Sequence, residues 1–99
     1  KAGWGADTVL VEQSKITSGT TWHAAGLMVC FGSLSESATK MRLYTRELYR
    51  DVLERETGQS TGFRQCGFIE LASSAGYLEE YRRIAAFNRK MGVDVEEIS

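Results

Sequence analysis

The sequence predicts an α/β layer architecture, on three observations. The run Thr8-Val9-Leu10-Val11 is apolar and β-branched without alternation, which suits a parallel strand covered on both faces. Two later stretches repeat apolar residues at helical spacing, and a pair of short β-prone runs separates them. The resulting order is strand, long loop, helix, two strands, helix, strand, with no repeat, low-complexity tract or evident linker, so the 99 residues read as one piece of one domain.

Taken in order, Lys1 to Gly5 is short and ends in glycine, the residue that closes a helix in a left-handed conformation. The start is therefore expected to be the tail of a helix whose body lies upstream. Thr8 to Val11 follows as the strand, and Glu12 closes it. Residues 13–33 are rich in Ser, Thr, Gly and Ala without sustained periodicity, which predicts a long, mostly irregular loop of the kind compact domains keep for function. From about Ser35 to Thr57, Met41, Tyr44, Thr45, Leu48 and Val52 recur at helical spacing, Gly58 supplies the stop, and Arg42, Arg46, Arg50 and Glu54 cover the solvated face. Phe63-Arg64, a turn at Gln65-Cys66-Gly67 and the run Phe68 to Ala72 predict two strands. Ser73 or Ser74 then caps a second helix with Tyr77, Tyr81, Ile84, Asn88 and Met91 inward, Leu78 and Ala85 beside them, and Gly92 at its end. Val93 to Ile98 is expected to begin another strand.

Charge is balanced, 12 Lys plus Arg against 13 Asp plus Glu with no block of one sign. This argues against a nucleic-acid or anionic-membrane surface, since both need clustered positive charge. No apolar run approaches the ~20 residues of a spanning helix, and the first residues carry no signal-peptide pattern. Cys30 and Cys66 stand far apart with no CxxC pair and no second histidine, a spacing that points away from zinc and towards free thiols.

Chemistry concentrates in two places. A carboxylate ending the second strand of a dinucleotide fold can accept hydrogen bonds from both ribose hydroxyls, and Glu12 is placed for that. It can equally be a solvated strand boundary. The glycine-rich phosphate loop of such folds lies about 20 residues before the acid and would fall upstream of Lys1. In the loop, Gly19 and Gly26 permit close backbone approach to a flat ligand, Ala24 and Ala25 leave room beside it, and Trp22 either walls a pocket or packs. His23 is the only histidine. A neutral imidazole is a competent nucleophile towards an activated ring methyl group, yet a lone histidine in such a loop is also an ordinary solvated or capping side chain. Asn88, polar within an apolar stripe, is expected to bond a neighbouring backbone rather than a substrate.

The segment Val11-Glu12-Gln13 followed by Thr17-Ser18-Gly19-Thr20-Thr21-Trp22-His23-Ala24-Ala25-Gly26-Leu27 resembles the sarcosine and dimethylglycine dehydrogenase family of FAD enzymes, whose fold is D-amino-acid-oxidase-like. Similarity continues through Tyr44-Thr45, Leu48-Tyr49, Glu56-Thr57-Gly58, Thr61-Gly62-Phe63, Gly67 to Ala72 and Glu79-Glu80, covering nearly the whole chain.

The resemblance implies a partial Rossmann-type FAD-binding domain, without its first strand and phosphate loop, over residues 1–99. It implies a covalent 8α-histidyl link from His23 to FAD and a place for Glu12 and Gln13 at the adenosine end. Gly19, Thr20, Thr21, Trp22, Ala24, Ala25, Gly26 and Leu27 would line the cofactor. The implied reaction oxidises the N-methyl group of sarcosine or dimethylglycine by hydride transfer to the flavin. The iminium is then hydrolysed or captured by folate, and electrons pass to an acceptor such as electron-transfer flavoprotein. Two alternatives stand beside it: a non-catalytic regulatory subunit on the same fold, and an oxidase using oxygen. The implied compartment is the mitochondrial matrix in a eukaryote and the cytoplasm in a bacterium. The isolated chain is expected to be inactive and poorly soluble.

Overall fold

The computed structural model describes residues 7–98, so the helix tail expected at Lys1 to Gly5 lies outside the described residues. Along the chain come α1 (Thr20–His23), α2 (Glu36–Glu47), a π-helical insert (Leu48–Val52), α3 (Leu53–Thr57) and α4 (Ala75–Lys90). The α2–insert–α3 run coincides with the helix expected from Ser35 to Thr57, and α4 with the second expected helix.

Local chemistry sets these boundaries. Ser35 has extended backbone, and its Oγ accepts the Ala38 N–H at 3.3 Å, satisfying one donor of the first turn of α2. Glu36 and Lys40 pair across that turn at 2.6 Å, and the ammonium draws the Glu36 carboxyl below its usual range. Gly58 ends α3 in the left-handed conformation, φ 70°, with its N–H on the Glu54 carbonyl at 2.9 Å. The π insert was not foreseen from the periodicity. In it the Leu53 N–H reaches back to the Leu48 carbonyl, and the Tyr49 carbonyl accepts the Thr61 hydroxyl at 3.3 Å. At the start of α4, Ser74 and not Ser73 is the cap, its Oγ accepting the Tyr77 N–H at 3.4 Å. At its end Gly92 has φ 85°, and the Val93 N–H bonds the Asn88 carbonyl at 3.0 Å.

The buried faces hold Thr45, Leu48 and Val52 half-buried as expected and depart from expectation at other positions. In α2, Met41 and Tyr44 are exposed, whereas Thr39 is fully buried and Arg42, Leu43 and Arg46 are half-buried. Arg42 is drawn in because its Nη1 donates to the Phe31 carbonyl at 2.9 Å. Its aliphatic stem covers apolar surface while the head finds a partner. In α4, Tyr81, Ile84, Ala85, Asn88 and Met91 face inward as expected, and Tyr77 does not.

The strands of the α/β expectation do not form among the described residues. Thr8 to Val11, Phe63 to Ala72 and Val93 to Ile98 are irregular, and no ladder joins them. At the expected turn, Gly67 takes φ 84° and the Cys66 N–H reaches the Arg64 carbonyl at 3.1 Å, a single bond that starts one residue before the expected Gln65 to Gly67 span. A strand persists only when a neighbour takes up its N–H and C=O groups, and isolated two-stranded pairs are marginal in water. Val9, Leu10 and Val11 are accordingly left 83%, 85% and 87% exposed, with no sheet to enter. The described chain is a helical unit with irregular connections.

Candidate functional site

Glu12, expected to end a strand, lies in irregular chain, and its Oε1 accepts the Ser14 N–H at 3.1 Å. A turn follows in which the Ser18 N–H and hydroxyl both reach the Lys15 carbonyl, at 3.0 and 2.8 Å, with Thr17 in the left-handed region at φ 70°. Gly19 leads into the single turn α1, held by the bond from Trp22 N–H to the Gly19 carbonyl at 3.1 Å. Ala24 closes that turn, its N–H on the Thr21 carbonyl at 3.3 Å.

Residues 19 to 27 are all exposed. Trp22, at 78% exposure, neither packs nor walls the cleft described below. The His23 ring has no hydrogen-bond partner among the described residues. Gly26 has φ 69°, which favours glycine, and the space a Cβ would occupy there and at Gly19 is open.

Beyond His23 the loop enters a cleft of about 1390 Å³. Ala24 to Phe31 form one wall, Thr61 to Ala72 another, and Leu78, Tyr81 and Ala85 of α4 together with Val93 to Ile98 complete it. The cleft thus gathers Ala24, Ala25, Gly26 and Leu27 of the expected cofactor residues. Glu12, Gln13, Gly19, Thr20, Thr21, Trp22 and His23 do not line it.

Among the described residues, the loop's long-range hydrogen bonds lie at its far end. The Phe31 carbonyl accepts Arg42, and its ring meets Tyr81 edge-on at 6.2 Å and 77°. The Tyr81 hydroxyl donates to Glu70 at 3.0 Å, a bond that raises the phenol's pKa above its ordinary value. The Ser33 carbonyl accepts the Asn88 amide at 2.6 Å, so Asn88 bonds backbone as expected, across 55 residues. At the rim Arg82 forms a forked pair with Glu97 at 2.5 to 3.1 Å, holding that carboxyl below its usual range. Cys30 and Cys66 are free thiols on the cleft walls.

Several lining residues escaped the sequence reading, among them Phe31, Arg46, Tyr49 and Phe63. The run Leu27-Met28-Val29-Cys30-Phe31, apolar without interruption inside a polar loop, was the available signal for the first of these. Arg46 gave none. It sits on a face whose alternating charges read as solvated, yet its Nε is buried without a partner while Nη2 pairs with Glu47 at 3.0 Å.

The donor set fits a flavin in part. An unpaired, exposed imidazole stands next to small residues opening on a cleft larger than the roughly 300–1,000 Å³ usual for small-molecule sites. That combination suits a planar ligand tethered at the cleft's edge. The adenosine end is not assembled, because Glu12 and Gln13 lie off the cleft. Among the described residues no group of His, Cys, Asp and Glu is arranged to hold a metal, and no helix is long and apolar enough to cross a membrane.

The FAD dependent oxidoreductase family, DAO, matches residues 1–99. Human mitochondrial sarcosine dehydrogenase is 37% identical over 91 residues, 92% of this chain and 10% of that protein. Rat mitochondrial dimethylglycine dehydrogenase is 43% identical over 82 residues, 83% of this chain and 9% of that protein. The mouse mitochondrial pyruvate dehydrogenase phosphatase regulatory subunit is 36% identical over 99 residues, 100% of this chain and 11% of that protein. The chain thus spans about a tenth of the length of the curated relatives it matches. No solved structure matches it.

Proposed function

This chain belongs to the FAD-dependent oxidoreductase family, and from that premise we propose that it is part of a flavoprotein dehydrogenase that demethylates N-methylated glycines, with His23 as the covalent anchor of FAD. The family frame is Rossmann-like, and residues 1–99 are read as one incomplete FAD-binding unit within it. The observation that carries the reading is the placement of His23. Its ring is exposed and unpaired at the point where the backbone turns from α1 into the cleft wall of Ala24 to Leu27.

The bound flavin would supply a hydride acceptor for the substrate's N-methyl carbon. The chain's own residues do the holding. His23 would fix the ring edge, Ala24, Ala25 and Gly26 would present backbone with little side-chain bulk, and the exposed Leu27 side chain would offer apolar surface for the cofactor to cover. Gly19, Thr20, Thr21 and Trp22, which lie off the cleft, would extend the cofactor-lining stretch on the strength of the family match, and Glu12 with Gln13 would serve the adenosine end. The names of the sarcosine and dimethylglycine dehydrogenases support a small N-methyl amino acid as substrate and a mitochondrial setting in a eukaryotic host. Electron-transfer flavoprotein as acceptor, and folate as acceptor of the one-carbon unit, complete the proposal.

The test uses the parent protein. Denatured, acid-precipitated protein should stay yellow, and His23→Ala should release the colour into the supernatant. Equal flavin retention by that variant would remove the covalent assignment.

A second reading has its own support, because a relative named as a phosphatase regulatory subunit matches this chain end to end. On it the parent would keep the fold without turnover. Anaerobic bleaching of the flavin by sarcosine or dimethylglycine eliminates this reading, and its absence with both substrates favours it. Hydrogen peroxide release during turnover would mark an oxidase of the same fold.

A further inference from the structure

Among the described residues, the exposed part of the loop from Gly19 to Leu27 makes only local hydrogen bonds, so its position is set where the loop is gripped. That grip is a three-residue stretch, Phe31 to Ser33. Arg42 takes the Phe31 carbonyl at 2.9 Å, Tyr81 takes the Phe31 ring, and Asn88 takes the Ser33 carbonyl at 2.6 Å. Ser33 in turn accepts the Ser35 N–H on its Oγ at 3.0 Å, and Ser35 caps α2. Gly32, at φ 101°, is the pivot between the gripped carbonyls.

Asn88 is the unusual member. It is fully buried, and its Oδ1 has no partner among the described residues, so the side chain carries a desolvation cost that an apolar residue in the same stripe would avoid. The single bond it makes goes to the one chain segment that leads back, through the cleft wall, to Ala24 and His23.

We propose that Asn88 is a positioning residue for the flavin. By holding the Ser33 carbonyl it fixes the register of the wall from Ala24 to Phe31, and through that wall the approach of His23 to the cofactor. This inference rests on the reading of His23 as the covalent anchor. A displacement of about 1 Å in a reacting group costs up to roughly a hundredfold in rate, so loss of this grip is read as slow flavin attachment rather than as unfolding.

The experiment compares Asn88→Asp, Asn88→Leu and Ile84→Ala in the full-length parent protein. Asn88→Asp keeps the shape and removes the donor. Asn88→Leu also removes the unpaired Oδ1. Ile84→Ala lightens the same inward stripe of α4 and leaves the bond to Ser33 in place. The apoprotein is reconstituted with FAD, and the rate of acid-stable flavin attachment, the visible spectrum and midpoint potential of the flavin, and the melting temperature are followed together.

Both Asn88 variants should attach flavin about tenfold or more slowly and shift the potential, whereas Ile84→Ala should lower the melting temperature and attach flavin at the wild-type rate. Wild-type attachment and potential in the two Asn88 variants would overturn the inference and leave the His23 assignment standing. Slowing by Ile84→Ala equal to that by Asn88→Asp would also overturn it, since fold stability alone would then explain the effect. A wild-type parent with no acid-stable flavin would overturn both this inference and the reading beneath it.

Discussion

Glu54 gathers three donors on one oxygen. Its Oε1 accepts from the Ser60 hydroxyl and the Thr61 N–H, each at 2.8 Å, and from the Thr61 hydroxyl at 3.2 Å. The Ser60 bond is the chief cause that its carboxyl is held below the ordinary range, followed by the Thr61 N–H. The folded state therefore favours the ionised form. Its contribution to stability is present above the unfolded value of about 4.3 and is lost as pH falls through the lower native value. In the parent protein, hydrogen-exchange protection of the Thr61 amide should hold at neutral pH and collapse on the acid side of about pH 4. Glu54→Gln should lower protection at neutral pH and abolish the pH dependence; an unchanged acid limb in that variant would assign the effect elsewhere. Single residues were unevenly legible in the sequence. Asn88 was readable as a backbone-bonding core polar group, because a buried amide must find a partner. Arg42 and Arg46 were not: Arg42 turns inward on the Phe31 carbonyl, 11 residues away in sequence, and Arg46 buries its Nε without a partner while its Nη2 pairs with the adjacent Glu47.

At the scale of elements, the helices were legible because their ends are set locally. Ser35 and Ser74 cap α2 and α4 through their own hydroxyls, and Gly58 closes α3 at a φ of 70°, which no β-carbon favours. Ser35→Ala and Ser74→Ala should each cost about 1 kcal/mol, read as roughly fivefold lower exchange protection in the first turn of the helix concerned. Ser73→Ala should leave α4 unchanged, which separates the two candidate caps by experiment. Gly58→Ala meets no heavy atom within 4 Å, so its cost is the left-handed backbone alone, about 1–2 kcal/mol. The π insert shows what local reading misses. One residue added to the ladder at Leu48–Val52 shifts everything after it around the helix axis, and no glycine or proline marks the place. The inward face of α2 starts from Thr39, which is fully buried although polar, its hydroxyl donating to the Ser35 carbonyl at 2.9 Å.

At the scale of the whole molecule, the chain does not close around a core of its own. Its radius of gyration is 17.2 Å, against about 13 Å for a compact domain of about 100 residues. Its accessible surface is 8694 Å², where a compact monomer of 11.0 kDa would expose roughly 5,600 Å². Among the described residues the buried apolar side chains are Ala85 and Val93, while Val9, Leu10, Val11, Ile69 and Leu71 stand at least 70% exposed. These exposed residues are the ones whose composition predicted strands. The sequence pattern correctly marks them as sheet-forming in kind, but a strand is a property of at least two segments, and pattern alone cannot supply the neighbour. Surface of this kind associates in water, since each 100 Å² of apolar area left exposed forgoes roughly 2.5 kcal/mol. The 99-residue chain produced alone should therefore bind a hydrophobic dye, sediment as a mixture of oligomers and lose its helical circular dichroism gradually on heating. A sharp, concentration-independent melt of a monomer would show instead that these residues close a core that the exposed runs do not reveal. The same runs within the parent protein should be protected from exchange, and Val9 to Val11 most strongly, if they enter the sheet of the family's Rossmann-like frame.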